Sequence, residues 1–416
     1  MRGNSHVRFL GGPRAGNSPG LPGGGAIGLS CVTIDDYLDK LVGPRPNGSA
    51  AIEDAARFIE ETLRNLTPNV EIQHFQATPW GLALLNASTL VLILLAVTLL
   101  YRRRQSASLV VLAAIPALMF VEMELLWSPI SGLITAPARN IVASFPGAIG
   151  SPLVVFSAHY DTATQFGDHV HWLYAAVACS LGMGLALCLA VAGLIHKTDL
   201  SRRLLHVTLP IVVLPFAVAF IQQSVGPMVR EPSPGALDNA GSVAVLLKLA
   251  DSLSQAEEER DISVELVFLS CEEERALGSR HFARDLVSRQ PGLVVNLEAL
   301  GSPGEFAFAN EERFLIQSYS PSASAVNAIQ AAAKSRHMRP PVPMRLPGVM
   351  YTDGRSFLRA GLPAVTLLSL SEGGPRALHS IDDNRERLSS TALARAHMLL
   401  QAVIEHAAQQ ADEVGR

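Results

Sequence analysis

Charge is scarce in this chain. Asp, Glu, Lys and Arg make up 17% of its 416 residues, hydrophobic residues make up 49%, and the mean hydropathy is +0.27. Soluble domains carry about 25% charged residues, so the apolar excess points to membrane segments. A net charge of −4, with no basic run longer than Arg102-Arg103-Arg104, argues against nucleic acid as a partner. Cysteine is equally sparse. Four residues with no CxxC pair exclude a disulfide framework. Cys179 and Cys188 sit in apolar sequence and read as small buried hydrophobes, as does the unpartnered Cys271. Residues 1–31 hold no apolar run long enough for a signal-peptide core. They are rich in Gly, Pro, Ser and Asn and are expected to be a disordered leader, with folded sequence from near Val32.

Uncharged runs are what the chain has in abundance. Leu82 to Leu100, Gln105 to Val121, Trp172 to Ile195 and Val207 to Val229 each approach or exceed the ~20 residues that cross a bilayer. Four transmembrane helices in two hairpins are expected. Glu122, Glu124 and Trp127 close the second run and are expected at the interface. The hairpin tips carry Arg102, Arg103 and Arg104, and Lys197, Arg202 and Arg203. The positive-inside rule puts both tips in the cytoplasm and the rest of this multi-pass protein on the extracytoplasmic side. A reporter fused after Arg416 is therefore expected to read extracytoplasmic; a cytoplasmic signal would reverse the assignment.

Elsewhere strands and helices alternate. Ala50 to Leu63 repeats apolar residues at helical spacing, with Ile52, Ala55, Ala56 and Ile59 on one face. Val70 to Phe75 alternates as a strand does. Strands are expected over Pro152–Phe156, Ile262–Leu269, Leu293–Leu297 and Leu362–Leu370. Helices are expected over Asp238–Leu253, Arg275–Ser288, Ala323–Lys334 and Leu388–His406. This order predicts an α/β sandwich on a mixed, largely parallel sheet, with ligands outside the carboxyl ends of its strands.

Five stretches with metal-binding side chains fall at such ends: Ser157-Ala-His159-Tyr-Asp161, Gly235-Ala-Leu-Asp238-Asn-Ala, Glu272-Glu273-Glu274, Asn296-Leu-Glu298 and Leu378-His379-Ser380. Each alone has a structural explanation. Asp238 could cap a helix, Glu272–Glu274 could open one, and His159 could simply pair with Asp161. Together they supply two imidazoles and several carboxylates, a donor set suited to Zn²⁺. Adjacent side chains leave the backbone in different directions, so one glutamate can hold a metal while its neighbour serves as a base. Asp161 can take the second ring N–H of His159 and fix its tautomer.

In this order, His-x-Asp, Asp-Asn-Ala-x-Gly, Glu-Glu, an acid after a strand and a late His, the chain resembles the M28 family of zinc-dependent aminopeptidases and carboxypeptidases. Arg45-Pro-Asn-Gly-Ser49, Leu277-Gly-Ser279-Arg-His-Phe282 and Tyr351-Thr-Asp353-Gly-Arg-Ser-Phe357-Leu-Arg-Ala-Gly361 also resemble family segments. The resemblance covers about residues 32–76 and 138–410. It implies a three-layer sandwich and two zinc ions per chain. His159 and Glu298 would hold one ion, Glu273 and His379 the other, and Asp238 would bridge them. Glu272 would be the general base acting on a water at the metals, and Asp161 would orient His159. The family usually has Asp where Glu298 stands, and three consecutive acids leave Glu273/Glu274 as the other register.

The implied organisation is a leader over 1–31, peptidase segments over 32–77, 131–168 and 230–410, membrane hairpins over 78–130 and 169–229, and a tail over 411–416. The implied function is a membrane-embedded exopeptidase, most simply an aminopeptidase, with peptide substrate and lipid bilayer as partners. A one-zinc glutaminyl cyclase-like acyltransferase and a non-catalytic receptor or scaffold are the competing readings.

Overall fold

The computed structural model describes residues 32–163, 169–196, 200–224, 232–256, 260–314, 316–346, 351–369 and 374–415. The expected leader lies outside them, as do the centre of the second hairpin tip and the end of the fourth apolar run.

Two capped helices lead. In α1 (Ile34–Leu41) the Thr33 hydroxyl accepts from Asp36 N while the Asp36 carboxylate accepts from Thr33 N, a reciprocal box. In α2 (Ala50–Leu66) Ser49 caps Ile52 N, and Ile52, Ala55, Ala56, Ile59 and Leu63 form the buried stripe. Then come β1 (Val70–Ala77), α3 (Gly81–Tyr101), α4 (Gln105–Met119), β2 (Ala136–Phe145), β3 (Leu153–His159), α5 (His169–His196) and α6 (Leu200–Ser224). They are followed by α7 (Gly241–Ser254), β4 (Ser263–Leu269), α8 (Leu277–Val287), β5 (Leu293–Glu298), β6 (Ala307–Ala309), β7 (Glu312–Arg313) and β8 (Ser318–Tyr319). The chain closes with α9 (Ala323–Ser335), β9 (Val342–Met344), α10 (Gly354–Arg359), β10 (Ala364–Leu368), α11 (Gly374–Ala377) and α12 (Ser390–Gly415).

The main sheet has eight strands in the order β1-β2-β4-β3-β5-β10-β6-β9, while β7 and β8 form a separate ribbon. Pairs β3–β4, β3–β5, β5–β10 and β6–β9 are parallel; β1–β2, β2–β4 and β10–β6 are antiparallel. The side-chain period of two sorts these strands into two cores. Val154, Phe156, Leu266, Phe268, Val295, Leu297 and Leu367 pack against α1, α2, α7, α9 and α12. Val155, Val267, Leu269, Val294 and Ala364 pack against Phe282 and Leu286 of α8 and Phe357 of α10. This is the expected three-layer α/β sandwich, and both of its faces are covered, as parallel strands require.

Both apolar hairpins leave one rim of that sheet. Ala77 and Ala136 are register partners in the antiparallel pair β1–β2, so α3 and α4 occupy the position of an ordinary hairpin loop. The start of β2 lies beside the end of β4, Ile141 opposite Phe268, and β4 runs parallel to β3. The carboxyl end of β3, where the second hairpin departs, is thus at the same rim. Helices α3 to α6 share a core of their own built on Ile93, Leu112, Ile115, Leu189, Val212 and Phe216. At Gly182 a Cβ would come within 3.0 Å of the Ile211 carbonyl, which is how α5 and α6 approach so closely. Their outer surface stays apolar, with Val110 71%, Leu181 67% and Val207 77% exposed.

Among the described residues, three helical stretches are long and apolar enough to cross a membrane: Gly81–Tyr101, Gln105–Glu124 and Leu173–Ile195. Of the fourth expected span, Val207–Val229, the described residues contribute the apolar stretch His206–Gln222.

Several boundaries differ from expectation. The helix expected from Asp238 begins at Gly241, because Asp238 (φ −116°, ψ 81°) and Asn239 (φ −142°, ψ 32°) are not helical. Asp238 is therefore not a simple helix cap. The helix expected from Arg275 begins at Leu277, since Arg275 and Ala276 take φ of +65° and +54°. The closing helix runs through the expected tail to Gly415, because nothing in Ala407 to Val414 stops a helix. Glu122 and Glu124, expected at an interface, are both 0% exposed, because arginines of the α/β domain reach them.

Candidate metal centre

The seven singled-out residues converge at the carboxyl rim of the parallel strands. His159 is the last residue of β3 and Glu298 the last of β5. These strands are directly paired, so their ends are neighbours. Directly before α7 a short turn, Ala236–Ala240, presents Asp238. Its shape is set by its flanks: Asp383 accepts from Leu237 N at 2.6 Å and from Asp238 N at 3.1 Å. The Asp238–Asn239 peptide is cis. Asn239 turns away and ties down the end of β5, donating to the Leu297 carbonyl at 2.9 Å and accepting from Ala299 N at 3.2 Å. Gly241 is needed where α7 begins, since a Cβ there would meet the Leu300 carbonyl at 2.4 Å. His379 arrives from the far side of the rim after α11, with φ +61°.

At the centre is the Asp238 carboxylate. Its Oδ1 lies 3.0 Å from His159 Nε2 and its Oδ2 lies 3.0 Å from His379 Nε2. Each imidazole faces a second carboxylate: His159 Nε2 is 3.4 Å from Glu298 Oε1, and His379 Nε2 is 3.2 Å from Glu273 Oε1. The result is two donor groups, His159/Asp238/Glu298 and Asp238/Glu273/His379, each with its ligand atoms within 4.8 Å of one another.

These residues fit a metal. Glu273 Oε1 and Glu298 Oε2 are buried without a properly aligned hydrogen-bond partner, close though their neighbours come. Lone pairs left over in a buried cluster of imidazoles and carboxylates are what a divalent cation satisfies.

Electrostatics say the same. Burial works against ionisation of His159, yet Glu298, Asp161 and Asp238 around it raise its pKa well above the ordinary imidazole range. Burial likewise opposes the charge on Asp238, but hydrogen bonds from both imidazoles outweigh it and hold its carboxyl far below the usual value. Burial raises Glu273, partly offset by His379, and raises Glu272 still more.

Glu272 and Glu274 stand apart from the donor groups. Glu272 is buried and its amide donates to Asp161 Oδ1 at 3.2 Å; the Glu273 amide donates to Asp161 Oδ2 at 3.2 Å. Asp161 also lies 3.4 Å from His159 Nδ1, so one carboxylate links the β3 end to the acidic loop. The Glu274 carboxylate points elsewhere and accepts from Thr78 N at 2.5 Å.

Three residues near the site were not singled out from the sequence. Asn47 donates to Asp161 Oδ2 at 2.8 Å and accepts from Ser270 Oγ at 3.1 Å. Asp383 holds the Asp238 turn. Asp353 is fully buried with neither carboxylate oxygen hydrogen-bonded, and burial raises it to about 7. Asn47 and Asp353 lie inside segments noted for their family resemblance, and Asp383 directly follows the His379 loop. Nothing in residue type or spacing marked any of them as reaching the site.

Residues 222–404 match the sequence model of Peptidase family M28. The match begins within α6, so β3 with His159 and Asp161 precedes it, set off by the inserted second hairpin. No curated protein matches the chain. Among solved structures, a glutaminyl cyclase from an Acidobacteriales bacterium has a TM-score of 0.53 at 14% identity, covering 95% of this chain and all of that one. A leucine aminopeptidase precursor from Bacteroides thetaiotaomicron has a TM-score of 0.51 at 14% identity, covering 89% and 93%. An aminopeptidase from Aneurinibacillus sp. strain AM-1 has a TM-score of 0.52 at 14% identity, covering 91% and 94%. Identities this low establish a common fold.

Proposed function

We propose that this chain, an M28 family member through residues 222–404, is a membrane-embedded di-zinc exopeptidase that removes N-terminal residues from peptides. The observation that carries the reading is Asp238. Its two oxygens face two separate imidazoles, and each imidazole faces its own glutamate. Under this reading His159 and Glu298 hold one cation, Glu273 and His379 hold the other, and Asp238 serves both. The chemistry such cations supply is Lewis-acid polarisation of a carbonyl and acidification of water.

The remaining residues act around that pair. Glu272, a buried carboxylate outside both donor groups, is the base that accepts a proton from the attacking water and delivers it to the departing amine. Asp161 orients His159 and, through the Glu272 and Glu273 amides, sets the loop that carries both glutamates. Glu274, bonded to Thr78 N, is not placed to be either ligand or base. Helices α3 to α6 anchor the enzyme in the bilayer, with the α/β domain extracytoplasmic. Both hairpins leave the rim that carries the cluster, an arrangement that favours substrates reaching the site along the membrane surface.

Purified full-length protein in detergent, assayed on paired free and N-acetylated peptides with parallel metal analysis, tests the reading. Release of the first residue from free peptides alone, with about two zinc ions per chain, is the expected result. Cleavage of both peptides would overturn the aminopeptidase polarity. Cyclisation of an N-terminal glutamine peptide with a single zinc would replace hydrolysis with the acyltransferase reading.

A further inference from the structure

The π-helical turn Phe120–Glu124 that continues α4 carries two carboxylates that the metal cluster does not use. A buried ionised carboxylate is tolerated only when paired and hydrogen-bonded. Glu122 accepts from Ile130 N at 2.7 Å, Ser131 Oγ at 2.5 Å and Arg275 Nη1 at 3.0 Å. The Arg275 guanidinium also donates to the Glu122 carbonyl at 3.1 Å and to Ser128 Oγ at 3.3 Å. Glu124 accepts from Ile316 N at 2.5 Å and Arg355 Nη2 at 2.9 Å. Arg359 donates to the Glu124 carbonyl at 2.7 Å, and Arg280 to the Leu126 carbonyl at 3.2 Å. Four arginines of the α/β domain therefore close on the end of an apolar helix, where free carbonyls and the helix dipole favour cations.

Two of the hairpin's contacts land on the acidic loop itself. Arg275 follows Glu272, Glu273 and Glu274 in sequence and is held by Glu122 at the exit of the hairpin. Glu274 is held by Thr78 N, at the hairpin's beginning. Both ends of one membrane hairpin thus grip consecutive residues next to Glu273. The loop needs gripping, because Cys271, Arg275 and Ala276 all adopt left-handed φ of +62°, +65° and +54° without being glycine. Pro79 and the first turn of α3, through Leu82 and Ala83, also wall a recess beside Glu273.

We propose that the first membrane hairpin is a positioning element of the metal site, with Glu122 acting through Arg275 to hold the Glu272–Glu273 loop in its ligating conformation. Glu124 makes a second tie, through Arg355 and Arg359 to α10, that bypasses this loop. The proposal rests on the roles given above to Glu272 and Glu273. Its consequence is that a tilt or slide of α4 in the bilayer is transmitted to the site by a buried ion pair.

The test compares Glu122→Gln with Glu124→Gln in the full-length protein in lipid nanodiscs. Each removes one buried charge from the same helix end. Amide exchange over residues 270–277, zinc affinity by chelator competition, and kcat and KM are read. Glu122→Gln is expected to speed exchange in the loop, weaken one zinc equivalent at least 10-fold and lower kcat more than it changes KM. Glu122→Asp should recover part of each. Glu124→Gln should lower the melting temperature while leaving loop exchange and zinc affinity as in the parent. Equal effects of the two variants, or a folded Glu122→Gln with parental exchange and affinity, would overturn the proposal. Should Glu122→Gln not fold, Arg275→Lys, which keeps the charge and loses the fork, is read the same way. If the parent protein binds no zinc, the roles given to the metal ligands fail, and the exchange comparison still decides whether the hairpin holds the loop.

Discussion

Glu272→Gln is expected to lower kcat by roughly 10²- to 10⁴-fold, the usual worth of a positioned acid–base group, while leaving two zinc ions bound. The expectation comes from a division of labour between adjacent residues. Glu273 Oε1 sits 3.2 Å from His379 Nε2 inside a donor group, whereas Glu272 is in neither group. Glutamine matches the size of glutamate and its amide N–H to Asp161 is unaffected, so the loop keeps its shape and only the proton acceptor is lost. Burial holds the Glu272 carboxyl well above its ordinary range, and bound cations would bring it back toward the working pH. Metal content by elemental analysis and turnover on a free peptide check it together. Full activity would remove Glu272 as the base, and lost zinc would make it a ligand.

Asp238→Asn should be more severe, because both donor groups share this one side chain. Without its charge each group is left with one imidazole and one glutamate. That is below the three protein ligands a catalytic zinc site takes. Bound zinc should fall well under one ion per chain, and activity by about 10³-fold or more. The fold should survive, since the turn is held through its backbone, with Asp383 accepting from Leu237 N and Asp238 N. Elemental analysis alongside a thermal melt separates metal loss from unfolding. Two zinc ions retained by Asp238→Asn would rule out the bridging role.

The two kinds of element differed in how far they could be read in advance. The α/β core was legible because its strands announce themselves locally. Val154 to Phe156, Val264 to Leu269 and Val294 to Leu297 are short, largely apolar runs, followed by Ser157, Ser270 and Glu298 respectively. The apolar helices were legible for the same reason, since uniform apolarity over a fixed length is visible in the residues themselves. Boundaries went wrong where tertiary contacts override local preference. Asp238 and Asn239 look like a helix start, yet each side chain is drawn to a different neighbour, the imidazoles and the end of β5. Arg275 looks like the first residue of a helix, yet its side chain is committed to Glu122 and its backbone is left-handed.

What the sequence determined by itself was the inventory: an apolar chain with uncharged runs, an α/β order, and the residues His159, Asp161, Asp238, Glu272, Glu273, Glu298 and His379. Composition, period and strand-end position are local properties, and a single chain displays them. Only the tertiary structure decided how that inventory is shared out. It gave one oxygen of Asp238 to each imidazole and placed Glu273 rather than Glu274 in the donor group. It also buried Glu122 and Glu124, which by sequence looked like residues at a membrane surface. Each of these depends on residues brought together from distant parts of the chain, and the pairing of a charge with its partner is a property of the fold.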